Sequence, residues 1–253
     1  MSEGSPDRVL LVTGGGRGIG AAIARLAAAR GYAVCINYRS DRHAADAVAA
    51  ALVAAGGRAI ATQADVSVEA DVVRLFEACD RSLGPVTALV NNAGVLETQM
   101  RVEAMDAGRI TRIFATNVIG SFLCAREAIR RMSTRHGGRG GAIVNLSSGA
   151  ARLGAPGEYV DYAASKGAID TFTIGLAHEV AQEGIRVNAV RAGYIYTGMH
   201  SSGGEPDRVD RVKAFVPMRR GGQPGEVAEA VLWLLSEAAA FTTGSFIDVT
   251  GGR

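Results

Sequence analysis

Residues 13–20 read TGGGRGIG and stand between an apolar run, residues 8–13, and an alanine-rich segment with helical spacing, residues 19–30. Gly14 and Gly18 permit backbone angles that are closed to other residues, and Gly20 lets a helix pack closely on a strand. The first turn of that helix then offers unpaired N–H groups and positive potential to a pyrophosphate. A glycine cluster can also be a plain turn, but its place between the first strand and the first helix predicts a dinucleotide site.

The rest of the chain alternates short apolar runs with longer amphipathic segments. Strands are predicted at residues 8–13, 33–38, 59–63, 86–90, 142–146, 186–191 and 245–249, and helices at 19–30, 44–55, 68–82, within 107–135, 159–183 and 224–237. Ser67 is the predicted cap of the third helix. Strands that are apolar throughout, each followed by a helix, indicate an α/β fold with a parallel sheet covered on both faces.

No repeat, linker or change of composition divides the chain, which predicts one domain over residues 1–253. Within it, residues 1–7 are expected to be a flexible N-terminus. Residues 194–223 are irregular and rich in glycine and charge, and a segment of that length in a compact domain is typically a lid or a binding loop.

Composition excludes several classes of protein. Of 253 residues, 48% are hydrophobic and 21% charged, which is typical of a globular chain, and the formal net charge is only +2. Basic residues are mixed with acidic ones, so a nucleic-acid partner is not expected. Three scattered cysteines suit a reducing compartment, and neither a signal peptide nor a membrane-length apolar run is present. We therefore expect a cytoplasmic protein without a membrane partner.

The end of the second predicted strand bears on which dinucleotide binds. An acidic residue there would bind the ribose 2′-hydroxyl of NAD, but this chain has Tyr38 followed by Arg39. Arg39 and Arg17 could form a fork around a 2′-phosphate, or could simply be exposed arginines. NADP(H) is favoured, and the nearby Asp41 leaves NAD(H) open.

Tyr162 and Lys166 are four residues apart at the start of a predicted helix, which places both side chains on one face. A free tyrosine has a pKa near 10, and an ammonium group about 4 Å away would lower that pKa by roughly three units at an effective dielectric near 20. Tyr162 would then be able to act as a general acid and base. A tyrosine and a lysine at this spacing are common, but Lys166 is one of only two lysines in the chain.

Three further polar residues are candidates for the same site. Ser147 and Ser148 end the fifth predicted strand, where the carboxyl ends of parallel strands meet the ligand crevice, although serines there also cap turns. A serine hydroxyl at that edge can polarise a substrate oxygen. Asn117 lies inside a predicted long helix, where asparagine is mildly unfavourable, so it either has another use or is merely tolerated there.

Together these motifs resemble the classical short-chain dehydrogenase/reductase family, from residue 8 to the C-terminal stretch TGSFIDVTGG. The matching positions are residues 13–20, Asp65, Val66, residues 91–94, Asn117, Val118, Ser148 and residues 162–166. The resemblance is to the bacterial subgroup that includes 3-oxoacyl-carrier-protein reductases and glucose 1-dehydrogenases. It implies a Rossmann fold with a doubly wound seven-stranded sheet, and a homotetramer built through the long helices around Asn117 and Tyr162 and the last strand.

The resemblance also implies a role for each matching residue. Tyr162 would be the acid and base, Lys166 would lower its pKa and bind the nicotinamide ribose, Ser148 would hold the substrate oxygen, and Asn117 would anchor a water in a proton relay. Cofactor contacts are implied for Gly14, Arg17, Gly18, Ile19, Gly20, Tyr38, Arg39, Asp65, Val66, Asn91, Ala93, Gly94, Gly193, Ile195 and Thr197.

The chain departs from the usual pattern of the family at two places. The Ser148–Tyr162 spacing is one residue longer than the commonest, which keeps Ser147 as an alternative, and Ala192 stands where the family usually has proline.

The sequence thus predicts reversible hydride transfer between NADP(H) and a ketone or secondary alcohol, with a non-catalytic NADP-binding sensor or scaffold as the alternative. The substrate pocket is expected under the late segment, lined by Leu153, Tyr159, Tyr194, Tyr196, Met199, His200, Phe215 and Met218. A basic group in the same part of the chain, Arg208, Arg211, Lys213, Arg219 and Arg220, favours either an anionic substrate or a solvated charged face.

Overall fold

The structure, a computed structural model, describes residues 8–253, so the predicted N-terminal segment, residues 1–7, lies outside the described residues. The strands are β1 Val9–Val12, β2 Ala33–Tyr38, β3 Ala59–Gln63, β4 Ala88–Asn91, β5 Gly141–Ser148, β6 Ile185–Ala192 and β7 Phe246–Val249. The helices are α1 Gly18–Ala29, α2 Arg42–Ala54, α3 Glu69–Leu83, α4 Ala107–Phe114, α5 Gly120–Met132, α6 Ala150–Leu153, α7 Val160–Val180, α8 Met199–Ser202, α9 Arg208–Val212 and α10 Pro224–Leu235.

The strands form one parallel sheet in the order β3-β2-β1-β4-β5-β6-β7. The order reverses between β1 and β4, where Val12 is paired with Val90. In a doubly wound sheet the carboxyl ends of the strands at such a reversal border the ligand crevice. The predicted α/β fold with a seven-stranded parallel sheet is confirmed.

Both faces of the sheet are covered, as the apolar strands predict. Along β1, Leu10 and Val12 point into a cluster with α1, α2 and α10, whereas Val9 and Leu11 point into a second cluster with α3, α5 and α7. All four side chains are fully buried. Because β1 is buried on both faces, neither face needs polar side chains. Its sequence therefore lacks the alternation of apolar and polar residues that is typical of a half-exposed strand.

Two local predictions need correction. The helix predicted within residues 107–135 is interrupted by one π-helical turn, Ala115–Ile119, between α4 and α5. Single π turns inside α-helices are frequent at functional sites, and Asn117 lies in this one. Ser67 does not cap α3, because its N–H and its hydroxyl both donate to Asp65 Oδ1, and Val68 precedes the helix without a side-chain cap.

The irregular segment 194–223 contains the short helices α8 and α9 and returns to the sheet region through a bridge between Ile195 and Gly222. No helix in the described part of the chain has the length and apolar character that crossing a bilayer requires.

Candidate active site

The glycine-rich turn after β1 is shaped by amide side chains from neighbouring strands. The N–H of Gly14 donates to Asn37 Oδ1 at 3.2 Å, and Asn92 Nδ2 donates to the carbonyl oxygen of Gly14 at 3.1 Å. Gly14 and Gly18 have φ angles of +62° and +53°. A Cβ atom on Gly20 would lie 2.4 Å from the carbonyl oxygen of Gly14. The turn therefore requires glycine at these positions, and it leaves the N-terminus of α1, where Arg17 and Ile19 lie, facing the crevice side of the sheet.

The late segment reaches this turn. A Cβ atom on Gly18 would meet Thr197 Cγ2 at 3.3 Å, so two segments almost 180 residues apart in sequence are in contact here. Ile195 is buried, and Gly193 packs against the backbone of Thr250. The structure thus brings Thr197, one of the implied cofactor contacts of the late segment, next to the predicted pyrophosphate turn.

Arg39 directly follows β2, and Arg17 belongs to the glycine-rich turn, whose Gly15 N–H donates to the Asn37 carbonyl of β2. Tyr38 is buried, whereas Arg39 and Arg17 are exposed. The carboxylate of Asp41 accepts a hydrogen bond from the Ala44 N–H at 3.0 Å and so caps α2. Asp41 therefore has a structural partner at the helix N-terminus.

Asp65 and Val66 follow β3 on the next strand out. Asp65 Oδ1 accepts hydrogen bonds from the Ser67 backbone and hydroxyl, which holds the turn after the strand. Val66 is buried, and a Cβ atom on Gly120 would lie 2.7 Å from its Cγ2. Both residues follow β3 at the carboxyl edge of the sheet, and for both of them the family resemblance implies a cofactor contact.

The middle of the site is formed by the loop after β4, the π turn and α7. A Cβ atom on Gly94 would lie 3.5 Å from Asn117 Oδ1 and 3.7 Å from Lys166 Nζ, so these three residues meet. The Ala93 N–H donates to Thr13 Oγ1 at 2.9 Å. Asn91 is buried, and its amide donates to Asn145 Oδ1 at 2.9 Å, so its side chain ties β4 to β5.

Asn117 uses its whole amide within the protein. Its Oδ1 accepts from the Val95 N–H at 2.8 Å, and its Nδ2 donates to the Val95 carbonyl at 3.1 Å and to Ser165 Oγ at 3.0 Å. The π turn places this buried amide between the loop after β4 and α7. The use that the sequence left open for Asn117 is therefore, at least, to hold these two elements together.

Tyr162 and Ser148 border the same cavity, and Lys166 Nζ lies 5.6 Å from the centre of the Tyr162 ring. Burial raises the pKa of Tyr162 above its usual value, whereas the neighbouring Ser148 side chain and the charge of Arg208 lower it. The net direction is opposite to the one predicted from Lys166, because the loss of solvent around Tyr162 outweighs these favourable contacts.

Lys166 is buried, and its Nζ donates to the Leu146 carbonyl at 2.7 Å. Burial lowers its pKa to about 8, and the Asp170 carboxylate acts in the opposite direction. Ser147 Oγ donates to Asp170 Oδ1 at 2.6 Å, and Arg191 Nε donates to Asp170 Oδ2 at 2.9 Å. Of the two candidate serines, Ser148 contacts Tyr162, and Ser147 contacts the carboxylate that supports Lys166.

A cavity of about 520 Å³ opens beside Ser148, Tyr162 and Lys166. Six of the predicted lining residues border it: Leu153, Tyr159, Tyr194, Met199, His200 and Phe215. Tyr196 and Met218 do not. Tyr196 donates to Asp210 at the surface, and Met218 borders a separate, smaller cavity.

The late basic residues separate into two groups. Arg208 and Arg211 border the cavity, and Arg208 is buried. Lys213, Arg219 and Arg220 are exposed, with Lys213 paired to Asp210 and Arg220 paired to Glu226. Of the two alternatives for the basic residues, the solvated charged face fits Lys213, Arg219 and Arg220. It does not fit Arg208, which is buried.

A buried ion pair between α4 and α7 adjoins the site and was not predicted from the sequence. Arg109 on α4 contacts Asp161 at 2.7 Å, with only 4% and 3% of the two side chains exposed. Asp161 Oδ1 also accepts from the N–H of Tyr162 at 2.9 Å. Because 52 residues separate the two partners, no local pattern in the sequence marks the pair.

The chain matches known proteins over nearly its whole length. Residues 14–253 match the family described as enoyl-(acyl carrier protein) reductase. An uncharacterized oxidoreductase of Escherichia coli K12 is 60% identical over 245 residues, covering 97% of this chain and 99% of that protein.

Two solved structures have the same fold. A mutant short-chain dehydrogenase/reductase of Serratia marcescens superposes with a TM-score of 0.88 at 33% identity, covering 97% of each chain. The 3-ketoacyl-(acyl-carrier-protein) reductase of Brucella melitensis, complexed with NADH, superposes with a TM-score of 0.89 at 34% identity, covering 97% of this chain and 98% of that one. The chain therefore belongs to the short-chain dehydrogenase/reductase family of oxidoreductases.

Proposed function

We propose that this chain interconverts a carbonyl compound and a secondary alcohol with NADP(H) as cofactor. The observation that carries the proposal is the Ser148–Tyr162 hydroxyl pair, with Lys166 beside it, in the wall of a cavity of about 520 Å³. The substrate class is a 3-oxoacyl, sugar or other small ketone, in keeping with the mixed apolar and polar lining.

The glycine-rich turn fits a dinucleotide, because a side chain on Gly14 or Gly18 would press on Ala93 or Thr197 and narrow the crevice. When bound, the cofactor supplies or accepts the hydride. Gly14, Gly18, Ile19 and Gly20 would hold its pyrophosphate at the N-terminus of α1. Further contacts would come from Asp65, Val66, Asn91, Ala93, Gly94, Gly193, Ile195 and Thr197.

The reacting groups have separable roles in this proposal. Ser148 holds the substrate oxygen, and in reduction Tyr162 donates a proton to that oxygen. Lys166 binds the nicotinamide ribose and places positive charge near the tyrosinate that remains. Asn117, whose side chain links Val95 to Ser165, would hold the path along which the proton is replaced.

The preference for NADP(H) over NAD(H) rests on the end of β2. Arg17 and Arg39 are exposed and available to a 2′-phosphate, and Tyr38 occupies the position at which a carboxylate would bind a 2′-hydroxyl. The capping role of Asp41 removes the nearest rival carboxylate.

We also propose that residues 194–223 form the lid over the substrate and that the protein is a cytoplasmic homotetramer. Support for the lid comes from Tyr194, Met199 and Phe215, which border the cavity. Exposed apolar side chains near the interrupted helix and on α7 support assembly, since they would be buried between copies: Ile110, Ile119, Phe122 and Ile174. Three free, buried thiols support a reducing compartment.

The test is the Tyr162→Phe variant, assayed with NADPH and NADH on a panel of ketones, acyl thioesters and sugars. We expect turnover to fall about 10²–10⁴-fold while NADPH binding, followed by nicotinamide fluorescence, is retained. Tyr196→Phe is the matched control, because Tyr196 bonds to Asp210 outside the cavity.

Most of the turnover surviving in Tyr162→Phe would contradict the assignment of Tyr162. A wild-type protein that binds NADPH but reduces no member of the panel would favour the sensor or scaffold alternative.

A further inference from the structure

Arg208 is a buried cation in the substrate cavity. Only 7% of its side chain is exposed, whereas 52% of the Arg211 side chain is exposed on the same helix, α9. Both residues border the cavity that Tyr162 lines. A buried charge is screened less by solvent and salt than an exposed one, so Arg208 acts on its surroundings more strongly than its neighbour does.

Four groups hold the Arg208 guanidinium in place. It is paired with Glu158 and, at 3.2 Å, with Glu205. It also lies over the Tyr159 ring at 4.5 Å and near the Tyr194 ring at 5.6 Å. Because planar guanidinium groups bind carboxylates and stack on aromatic rings, these contacts fix both the position and the orientation of the charge.

The positive charge of Arg208 changes the pKa of two titratable groups that border the cavity. It lowers the pKa of Tyr162 and the pKa of His200. At His200 the Glu205 carboxylate acts in the opposite direction, but its effect on the pKa is smaller than that of Arg208.

Other charged and titratable groups surround Tyr162. They are Lys166 of its own helix, Asp161 with its partner Arg109, Glu158 and Tyr159 before α7, Tyr194 after β6, and His200, Arg211 and Arg253, which border the same cavity. Lys166 is required for cofactor binding in the proposed function, and Asp161 and Arg109 are not among the residues that border the cavity. Arg208 is thus a buried cation of the cavity lining that the proposed reaction has not yet used.

We propose that Arg208 is a positioning residue: held by Glu158 and Glu205 between two tyrosine rings, it fixes a positive charge in the substrate cavity that favours tyrosinate at Tyr162. This inference rests on the proposed acid and base role of Tyr162. It adds that the strength of the acid and base is set in part by the late segment, because Arg208 belongs to that segment and reaches Glu158 across 50 residues.

The experiment compares the pH dependence of kcat/KM for alcohol oxidation in Arg208→Gln, Arg208→Lys and Glu158→Gln. In oxidation the tyrosinate accepts a proton, so activity rises with pH through the pKa of Tyr162. Arg208→Gln removes the cation, so the rise should move to higher pH by about one unit, a tenfold loss of kcat/KM below the midpoint. Glu158→Gln removes an opposing carboxylate, so the rise should move to lower pH. Arg208→Lys should restore most of the wild-type profile.

Lys213→Gln is the control, since Lys213 is exposed, paired with Asp210 and outside the cavity. A second readout does not depend on turnover. The ionisation of Tyr162 can be followed by ultraviolet absorbance, by subtracting the titration of the same variant carrying Tyr162→Phe. The pKa of Tyr162 obtained in this way should shift in the same direction as the pH profile of each variant.

Opposite shifts for Arg208→Gln and Glu158→Gln support the proposal. Shifts in the same direction, or a loss of kcat with an unchanged profile, overturn it, because a purely structural role would damage both variants alike. If Arg208→Gln does not fold, the direction of the Glu158→Gln shift decides. An unshifted ultraviolet titration would overturn the role of Arg208 while leaving the Tyr162→Phe test of the proposed function untouched.

Discussion

The glycine-rich turn after β1 and the late segment after β6 border the same crevice, but different interactions hold them. The turn is fixed by neutral hydrogen bonds: the Gly14 N–H donates to Asn37 Oδ1, and Asn92 Nδ2 donates to the Gly14 carbonyl. The late segment is fixed by charge, chiefly Arg208 with Glu158, and by aromatic rings.

Neutral hydrogen bonds to the backbone do not change with pH or salt, whereas the contribution of ion pairs depends on the state of both partners. The cofactor side of the site is thus built as a fixed frame. The substrate side, with which we group the adjoining buried Arg109–Asp161 pair, is held by ion pairs. Removing one partner of a buried pair destabilises a protein more than removing both partners does. Three further predictions test this contrast.

The largest effect is expected from breaking the Arg109–Asp161 pair. Arg109→Met should lower the free energy of unfolding by about 3–5 kcal/mol, because it leaves the Asp161 carboxylate buried without its partner. Asn37→Ala, on the neutral side, should cost about 1–3 kcal/mol, the cost of leaving the Gly14 N–H without its partner. Both values are measurable by urea unfolding.

The double variant Arg109→Met/Asp161→Leu is the control for that comparison. It should recover much of the loss, since it removes both charges together. An equal loss in Arg109→Met and Asn37→Ala would remove the contrast between the two sides.

A smaller effect, on pH dependence, is expected at Lys166. This lysine is charged below its pKa of about 8 and neutral above it, and the Asp170 carboxylate holds that pKa up against burial. Asp170→Asn should therefore lower the pKa of Lys166, so that kcat/KM for carbonyl reduction begins to fall at a lower pH on the alkaline side than in the wild type. Asp248→Asn, which removes the other carboxylate near Arg191, should leave the alkaline limb in place. An alkaline limb in Asp170→Asn that coincides with the wild-type limb would contradict the coupling.

The smallest effect is expected at Arg39, because it is exposed and its interactions are screened. Arg39→Leu should reduce the preference for NADPH over NADH by about 1 kcal/mol, roughly fivefold in the ratio of the two kcat/KM values. The same substitution at Arg25, an exposed arginine further along α1, should leave the ratio unchanged. A preference that survives in Arg39→Leu would move the recognition of the 2′-phosphate to other residues.

The same contrast explains how far the sequence could predict the molecule. The turn at residues 13–20 and the Tyr162–Lys166 spacing depend on neighbours within a few residues, so local patterns reveal them. The alternation of apolar runs and helices likewise gave the parallel sheet. Arg208 pairs with Glu158 and Arg109 pairs with Asp161, 50 and 52 residues away, and nothing local marks either arginine as buried.

The net shift in the pKa of Tyr162 differs from the predicted direction for a related reason. The spacing of two residues on a helix predicts that their side chains are close together. It does not predict how deeply each side chain is buried. Burial raises the pKa of Tyr162 and lowers the pKa of Lys166, and both shifts arise from packing by several distant segments.

The π turn at Ala115–Ile119 has a consequence for insertions and deletions. Each residue in an α-helix advances the side chains by about 100°, so one residue more or fewer in this turn would rotate α5 relative to α4. The face of α5 that contacts the sheet would then be turned by about 100° away from it, and the Asn117 amide would leave Val95 and Ser165. The location of this amide is therefore encoded by the length of the chain between Phe114 and Gly120 as well as by the identity of residue 117.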